Sequence, residues 1–292
     1  MKYKAACLIE KRSSLGERVI WNKQNNSIHY VDITGQKIHT YRLNTCTYTS
    51  IHVGQTVGCI VLDDKGNLIA ALKDSLAKVN LDTGEISSLL QMEIPDYLRF
   101  NDGKCDCKGR LWVGTMCADQ TDGRSKHAGI LYKIENAAKV EPMFNNLTIT
   151  NGICWNEDDS IMYHTDTATQ QIMRYDFCKE TGTLSKGQVA VTVAIEDGAP
   201  DGMTIDHEGM LWVALWGGYK VARYNLCNGE KLSEVHVPAK NVSCCAFGGP
   251  FMNELFITTA MDENGEGGEV YHVITDVKGF VPYEYKGGFL DE

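Results

Sequence analysis

Four short stretches carry the side chains best suited to chemistry: Leu15-Gly16-Glu17, Arg99-Phe100-Asn101-Asp102, Thr150-Asn151-Gly152 and Pro200-Asp201-Gly202. Each places a carboxylate or a primary amide at the start of a run that reads as a β-strand. Two carboxylates and two amides gathered in one confined space would repel and lose hydration, and a bound cation offsets both effects. Oxygen donors from Asp, Glu and Asn suit a hard divalent ion such as Ca²⁺, Mg²⁺ or Mn²⁺, with water or substrate completing the shell. No histidine shares the position, which weakens a zinc-selective reading without removing zinc. Whether Glu17, Asn101, Asn151 and Asp201 meet depends on the elements that carry them.

Those elements repeat. The segments GKCDCKGRLWVGTM at 103, GICWNEDDSIMYHTDT at 152, GMTIDHEGMLWVALWGG at 202 and CAFGGPFMNELFITTA at 245 share a strand, a polar turn with Gly, and a second apolar strand. Weaker copies are RVIWNKQNNSIHYVDI at 18 and GCIVLDDKGNLIAALKD at 58. The six copies start roughly 40 to 50 residues apart, the length of a four-stranded propeller blade. Turns such as Asp-Asp-Lys-Gly and His-Glu-Gly supply residues that tolerate positive φ. Convincing amphipathic helices are absent. The pattern predicts an all-β chain, one six-bladed β-propeller of four antiparallel strands per blade occupying residues 1–292, with Lys4 to Lys11 supplying the last blade's fourth strand and closing the ring. A solenoid would need capping repeats, and none is visible. In a propeller the innermost strands start at one end of a central channel, so the four polar residues, at one phase of four repeats, converge there.

Composition narrows the partners. The chain has 292 residues, 43% hydrophobic and 23% charged, with net charge −10; an acidic balance argues against a nucleic-acid footprint and leaves a small polar substrate or a cation as the easier partner. The apolar run Ala5 to Ile9 is too short for a signal peptide, and nothing approaches the ~20 apolar residues of a membrane span, so a cytoplasmic location and no membrane partner are expected. Eleven cysteines, an odd count without a CxxC pair, read as free thiols. The polar loop 117–129 is long enough to act as a lid, which makes Asp119 a candidate substrate contact and His127 a second. Trp112, Trp155 and Trp212 recur at core positions. Trp216, before Gly217-Gly218, is the aromatic best placed at a channel mouth to stack on a ligand.

The segments RFNDGKCDCKGRLWVGTM, TNGICWNEDDSIMYHTDT, PDGMTIDHEGMLWVALWGG and FGGPFMNELFITTA closely resemble the family of senescence marker protein, gluconolactonase and luciferin-regenerating enzyme, which includes regucalcin and bacterial sugar lactonases. The resemblance spans essentially the whole chain. It implies a six-bladed propeller with one divalent metal (Ca²⁺, Mg²⁺, Mn²⁺ or Zn²⁺), hydrolysing aldonolactones to aldonic acids. The family's metal ligands fall on Glu17, Asn151 and Asp201, and its substrate-contacting Arg and Asn on Arg99 and Asn101. Tyr163-His164-Thr165-Asp166 and Leu215-Trp216-Gly217-Gly218 look more like the bacterial branch, which tilts the substrate toward a pentono- or hexonolactone. One departure stands out: Arg18-Val19 replaces the usual Gly-Pro after the glutamate. With a metal to polarise the lactone carbonyl, Asp201 is the candidate general base; Arg99 offers a planar donor fork to substrate oxygens. Two alternatives remain, a broader esterase or organophosphate hydrolase on the same propeller and a non-enzymatic calcium-binding protein. A monomer is the simpler expectation for the assembly.

Overall fold

The computed structural model describes residues 2–287. They form six antiparallel sheets of four principal strands, each sheet in the order inner to outer. The inner strands of blades 1 to 6 are Gly16–Asn22, Val57–Leu62, Leu98–Cys105, Thr150–Trp155, Ala199–Ile205 and Asn241–Gly248. The expected all-β propeller is thus the observed architecture. Ala6–Ile9 pairs antiparallel with Val270–Ile274 as the outer strand of blade 6, closing the ring. The segment before it adds an unforeseen strand, Lys2–Lys4, which runs parallel to the outer strand Lys231–His236 of blade 5. Among the described residues no helix is long and apolar enough to cross a membrane.

The hydrophobic residues of the repeats bury themselves between blades. The core consists of six clusters, one for each neighbouring pair: Trp112 with Trp155 and Phe177 between blades 3 and 4, for example, and Trp212 with Phe247 and Leu255 between blades 5 and 6. Trp112 and Trp212 are wholly buried, and truncating such a ring to Ala costs about 3–5 kcal/mol.

The turn below each inner strand explains why the repeats look alike. Asp106 Oδ1 accepts the backbone N–H groups of Lys108 and Arg110 at 3.0 and 3.1 Å, and Asp206 Oδ1 those of Glu208 and Met210 at 3.0 and 2.9 Å. The second oxygen of each reaches the following strand's tryptophan, Trp112 Nε1 at 2.9 Å and Trp212 Nε1 at 2.8 Å. Gly109 and Gly209 complete these turns at φ 79° and 77°, a conformation that suits glycine. The Asp-x-x-Gly-x-x-Trp spacing is therefore a self-contained device joining turn to core.

Candidate functional site

All six inner strands carry a register shift in the same place, between Glu17 and Ile20, Val57 and Cys59, Phe100 and Gly103, Thr150 and Ile153, Pro200 and Met203, and Val242 and Cys244. A β-bulge breaks side-chain alternation and re-aims the residues it contains. It turns Glu17, Asn101, Asn151 and Asp201 toward the axis, where they line the base of one cavity of about 350 Å³. The equivalent positions in blades 2 and 6 are Gly58 and Ser243. A Cβ on Gly58 would lie 2.4 Å from Phe100 O and one on Gly152 2.4 Å from Asp201 O, so the strands at the axis approach too closely for a side chain there. Ser243 Oγ donates to Gly16 O at 2.5 Å and ties blade 6 to the strand that carries Glu17.

Two aspartates fix the approach to the site. Asp32 accepts from the backbone N–H groups of Ser14 and Leu15, both at 3.0 Å, just before Glu17. Asp166 does the same for Thr148 and Ile149, both at 2.9 Å, just before Asn151. A polar relay then crosses three blades. Arg99 Nη1 donates to Asn101 Oδ1 at 2.7 Å and to Phe100 O at 2.9 Å. Asn101 Nδ2 donates to Thr150 O and to Asn151 Oδ1, both at 2.9 Å. Asn151 Nδ2 donates to Thr167 Oγ1 at 2.9 Å, and Thr167 Oγ1 to Pro200 O at 2.8 Å, next to Asp201. The relay orients the Asn151 amide and commits both N–H bonds of Asn101, which therefore meets a ligand only through its carbonyl oxygen.

The carboxylates are left incompletely satisfied. Glu17 Oε2 accepts from Arg18 N–H at 2.5 Å, while Glu17 Oε1 and Asp201 Oδ1 are buried without a hydrogen-bond partner among the described residues. Burial, then repulsion from Asp102, pushes the Glu17 carboxyl up to about 8. Burial, then repulsion from Glu17, raises Asp201 well above the usual range. Burial lowers Arg99 to about 10 against the opposing pull of Glu17 and Asp201. Among the described residues no three His, Cys, Asp or Glu side chains are grouped for a metal; the available donors are two carboxylates and one amide. Two orphaned anionic oxygens beside an oriented amide oxygen fit a hard cation.

Asp102 stands in the sequence only as part of its stretch, with no role of its own, although it follows Asn101 directly. The bulge brings it to the axis as well, 3.5 Å from Arg18 Nε. Thr167 was also missed, because nothing in its surroundings marks a hydroxyl that bridges two blades. Asp119 lies outside the cavity, exposed, its Oδ1 accepting from Thr121 N–H at 2.9 Å and Thr121 Oγ1 at 2.7 Å; from its loop Ala118 and Gln120 line the cavity instead. His127 Nδ1 faces Asn146 O at 3.1 Å, away from the axis. His164 is buried in its strand and held down to about 4 by burial. Trp216 does line the cavity, with Leu15, Ile33, Met116 and Ile149 forming the rest of an apolar wall. All eleven cysteines are free thiols, and burial pushes those nearest the axis upward, Cys59 and Cys154 to about 12.

Fold and site together define a six-bladed propeller with an acidic, amide-lined site at one end of its channel. Residues 15–261 match the family described as SMP-30/Gluconolactonase/LRE-like region, and the chain belongs to that family. It is 32% identical over 287 residues to the Bacillus subtilis protein named "Putative sugar lactone lactonase YvrE", covering 95% of this chain and 97% of that one. It is 33% identical over 293 residues to Danio rerio regucalcin, covering 97% and 99%. The crystal structure of an Agrobacterium tumefaciens regucalcin, described as a calcium-binding protein, superposes with a TM-score of 0.91 at 26% identity, covering 98% of this chain and 99% of that one.

Proposed function

We infer that the protein is a metal-dependent lactonase that opens a sugar lactone to the corresponding acid. The observation that carries this reading is the pair of buried, unpartnered oxygens Glu17 Oε1 and Asp201 Oδ1 at the base of a cavity that also holds Arg99. Glu17, Asn151 and Asp201 would hold one divalent cation. When bound, such an ion keeps both carboxyls ionised and polarises the lactone carbonyl. The chain's own groups do the rest. Arg99 keeps its Nε and Nη2 hydrogens for substrate oxygens, since only Nη1 is engaged by Phe100 and Asn101. Asp201 accepts the proton of the attacking water and returns it to the ring oxygen as the acyl C–O bond breaks. Asn101 acts through Asn151 and Arg99, holding both in place. Trp216 offers a face for the ring, and the apolar wall limits bulk solvent around the charged groups at the base of the cavity.

That wall supports a second reading, a broader ester or lactone hydrolase on apolar substrates. Proton release followed with a pH indicator separates the two. A panel of pentono- and hexonolactones and unsubstituted alkyl lactones is given to chelator-stripped enzyme reloaded with Ca²⁺, Mg²⁺, Mn²⁺ or Zn²⁺, and spontaneous opening is subtracted. Metal-dependent turnover that favours the polyhydroxylated lactones supports the first reading; preference for alkyl lactones supports the second; no metal-dependent hydrolysis of any lactone overturns both.

A further inference from the structure

Below the carboxylates the channel changes sign. One residue after Glu17, Arg18 takes φ 46°, a left-handed conformation rare for a non-glycine residue, and buries its side chain at the axis, 4% exposed. Three residues after Asn101, Lys104 crosses the channel to donate to Met203 O of blade 5 at 3.0 Å. Both line a second cavity, of about 80 Å³, beneath the first. Its floor is a chain segment that passes under the propeller. Gly279 N–H donates to Met252 O at 2.8 Å, Tyr283 Oη to Asp159 Oδ2 at 2.9 Å, Tyr285 N–H to Leu62 O at 2.7 Å and Lys286 N–H to Gly109 O at 3.0 Å. This strap binds blades 6, 4, 2 and 3 in turn, and its residues Phe280 to Tyr283 close the cavity.

The donors in this cavity outnumber the acceptors. A guanidinium carries five N–H bonds and an ammonium three. Arg18 makes no side-chain hydrogen bond to a described residue; its Nε is buried without a partner, and Asp102 Oδ1, 3.5 Å away, is its one ion-pair neighbour. Lys104 has a single carbonyl partner and no carboxylate within ion-pair distance among the described residues. Asp102 and, from above, Glu17 both attract the Arg18 guanidinium, so the cation left without a nearby carboxylate among the described residues is Lys104. Glu157, at the rim, is 69% exposed and faces His207 instead. Burial, then the charge of Arg18, lowers the Lys104 amine below its ordinary range, as expected of an ammonium short of counter-charge. Water could satisfy the spare hydrogens but would not neutralise the charge. A cavity of this size has room for a small ion together with several waters, and one unpaired ammonium matches a monovalent ion.

We propose that the closed end of the channel holds a monovalent inorganic anion of chloride size between Arg18 and Lys104. The anion balances Lys104 and holds the Arg18 guanidinium where it faces Asp102, directly beneath Glu17 and Asp201. The residue that replaces the family's glycine thereby serves as one wall of an ion site, and the strap forms its floor and narrows its opening to solvent. The inference does not depend on the lactonase reading.

Two measurements test it. Thermal unfolding is followed in sodium chloride, sodium bromide and sodium methanesulfonate at matched ionic strength, for the natural protein and for Lys104→Met. Chloride and bromide raise Tm saturably, by about 2–4 °C once they exceed their Kd roughly tenfold, whereas the bulkier methanesulfonate has the smaller effect, and Lys104→Met abolishes the difference. Crystals grown in sodium bromide show an anomalous peak between Lys104 Nζ and the Arg18 guanidinium. Absence of that peak overturns the proposal, as does a Lys104→Met protein that keeps the full chloride effect. Should Lys104→Met fail to fold, Arg18→Met replaces it, and the bromide crystals of the natural protein decide the matter without any variant.

Discussion

Asn101 donates to Asn151 Oδ1 at 2.9 Å, so an amide of blade 3 sets the orientation of an amide of blade 4. The same Asn101 accepts from Arg99 at 2.7 Å. One side chain thereby aims both a candidate metal ligand and a candidate substrate ligand, and its own hydrogens are spent in doing so. Asn101→Ala is expected to weaken divalent-ion affinity and kcat/KM together by about 10- to 100-fold, the usual cost of losing a partner that orients a ligand. Calorimetric titration with Ca²⁺ and steady-state kinetics check this. A change in KM alone would mean that Asn101 acts only on substrate.

Asp201 is asked to be both a ligand and a base. Asp201→Asn keeps an oxygen donor but cannot take a proton, so turnover should fall about 10²- to 10⁴-fold while a measurable Ca²⁺ affinity persists. Near-normal turnover with intact affinity would remove Asp201 from proton transfer.

Much of this arrangement was legible in the sequence for a physical reason: blades are local in the chain, so a repeating strand-turn-strand pattern reports the whole architecture. The phase of the repeats also located Glu17, Asn101, Asn151 and Asp201. The phase could not reveal that the bulge admits two consecutive residues to the axis, which is how Asp102 and Arg18 come to face each other. Gly58 and Ser243 share the position in blades 2 and 6 but bear no charge to draw attention. The strap over 278–286 follows neither helical nor strand periodicity, since it is held by bonds to five separate turns and strand ends. Asp119 read as a lid residue because loop length says nothing of where a side chain points; its carboxylate is satisfied locally by Thr121.

The turn aspartates should dominate stability. Asp206 is fully buried and accepts from Trp212 Nε1 and from Arg223 Nε, both at 2.8 Å, besides two backbone N–H groups. Asp206→Ala removes the buried one of the two carboxylates that hold Arg223, leaving the exposed Glu208, and leaves an indole N–H unpaired, at a cost of about 3 kcal/mol. Urea denaturation monitored by tryptophan fluorescence measures it. Asp158→Ala, in the exposed turn of blade 4, is the control, because its carboxylate lies at the surface and bonds the neighbouring Ser160 of the same turn; there the change should stay within about 0.5 kcal/mol.

Buried histidines give the fold a defined acid limit. His164 is 2% exposed, its Nε2 has no partner among the described residues, and burial lowers its pKa from 6.5 to about 4. Between those two values the unfolded chain binds more protons than the folded one, so stability rises with pH across this window and is lost as pH falls through it. The penalty at full protonation is of the order of 3 kcal/mol for this one group. His164→Leu removes both the titration and the unpaired nitrogen. Urea midpoints measured from pH 7 to pH 4 should therefore fall less steeply for His164→Leu than for the natural protein, whatever the offset between the two at pH 7. Parallel profiles would show that His164 keeps its ordinary affinity for protons in the folded state.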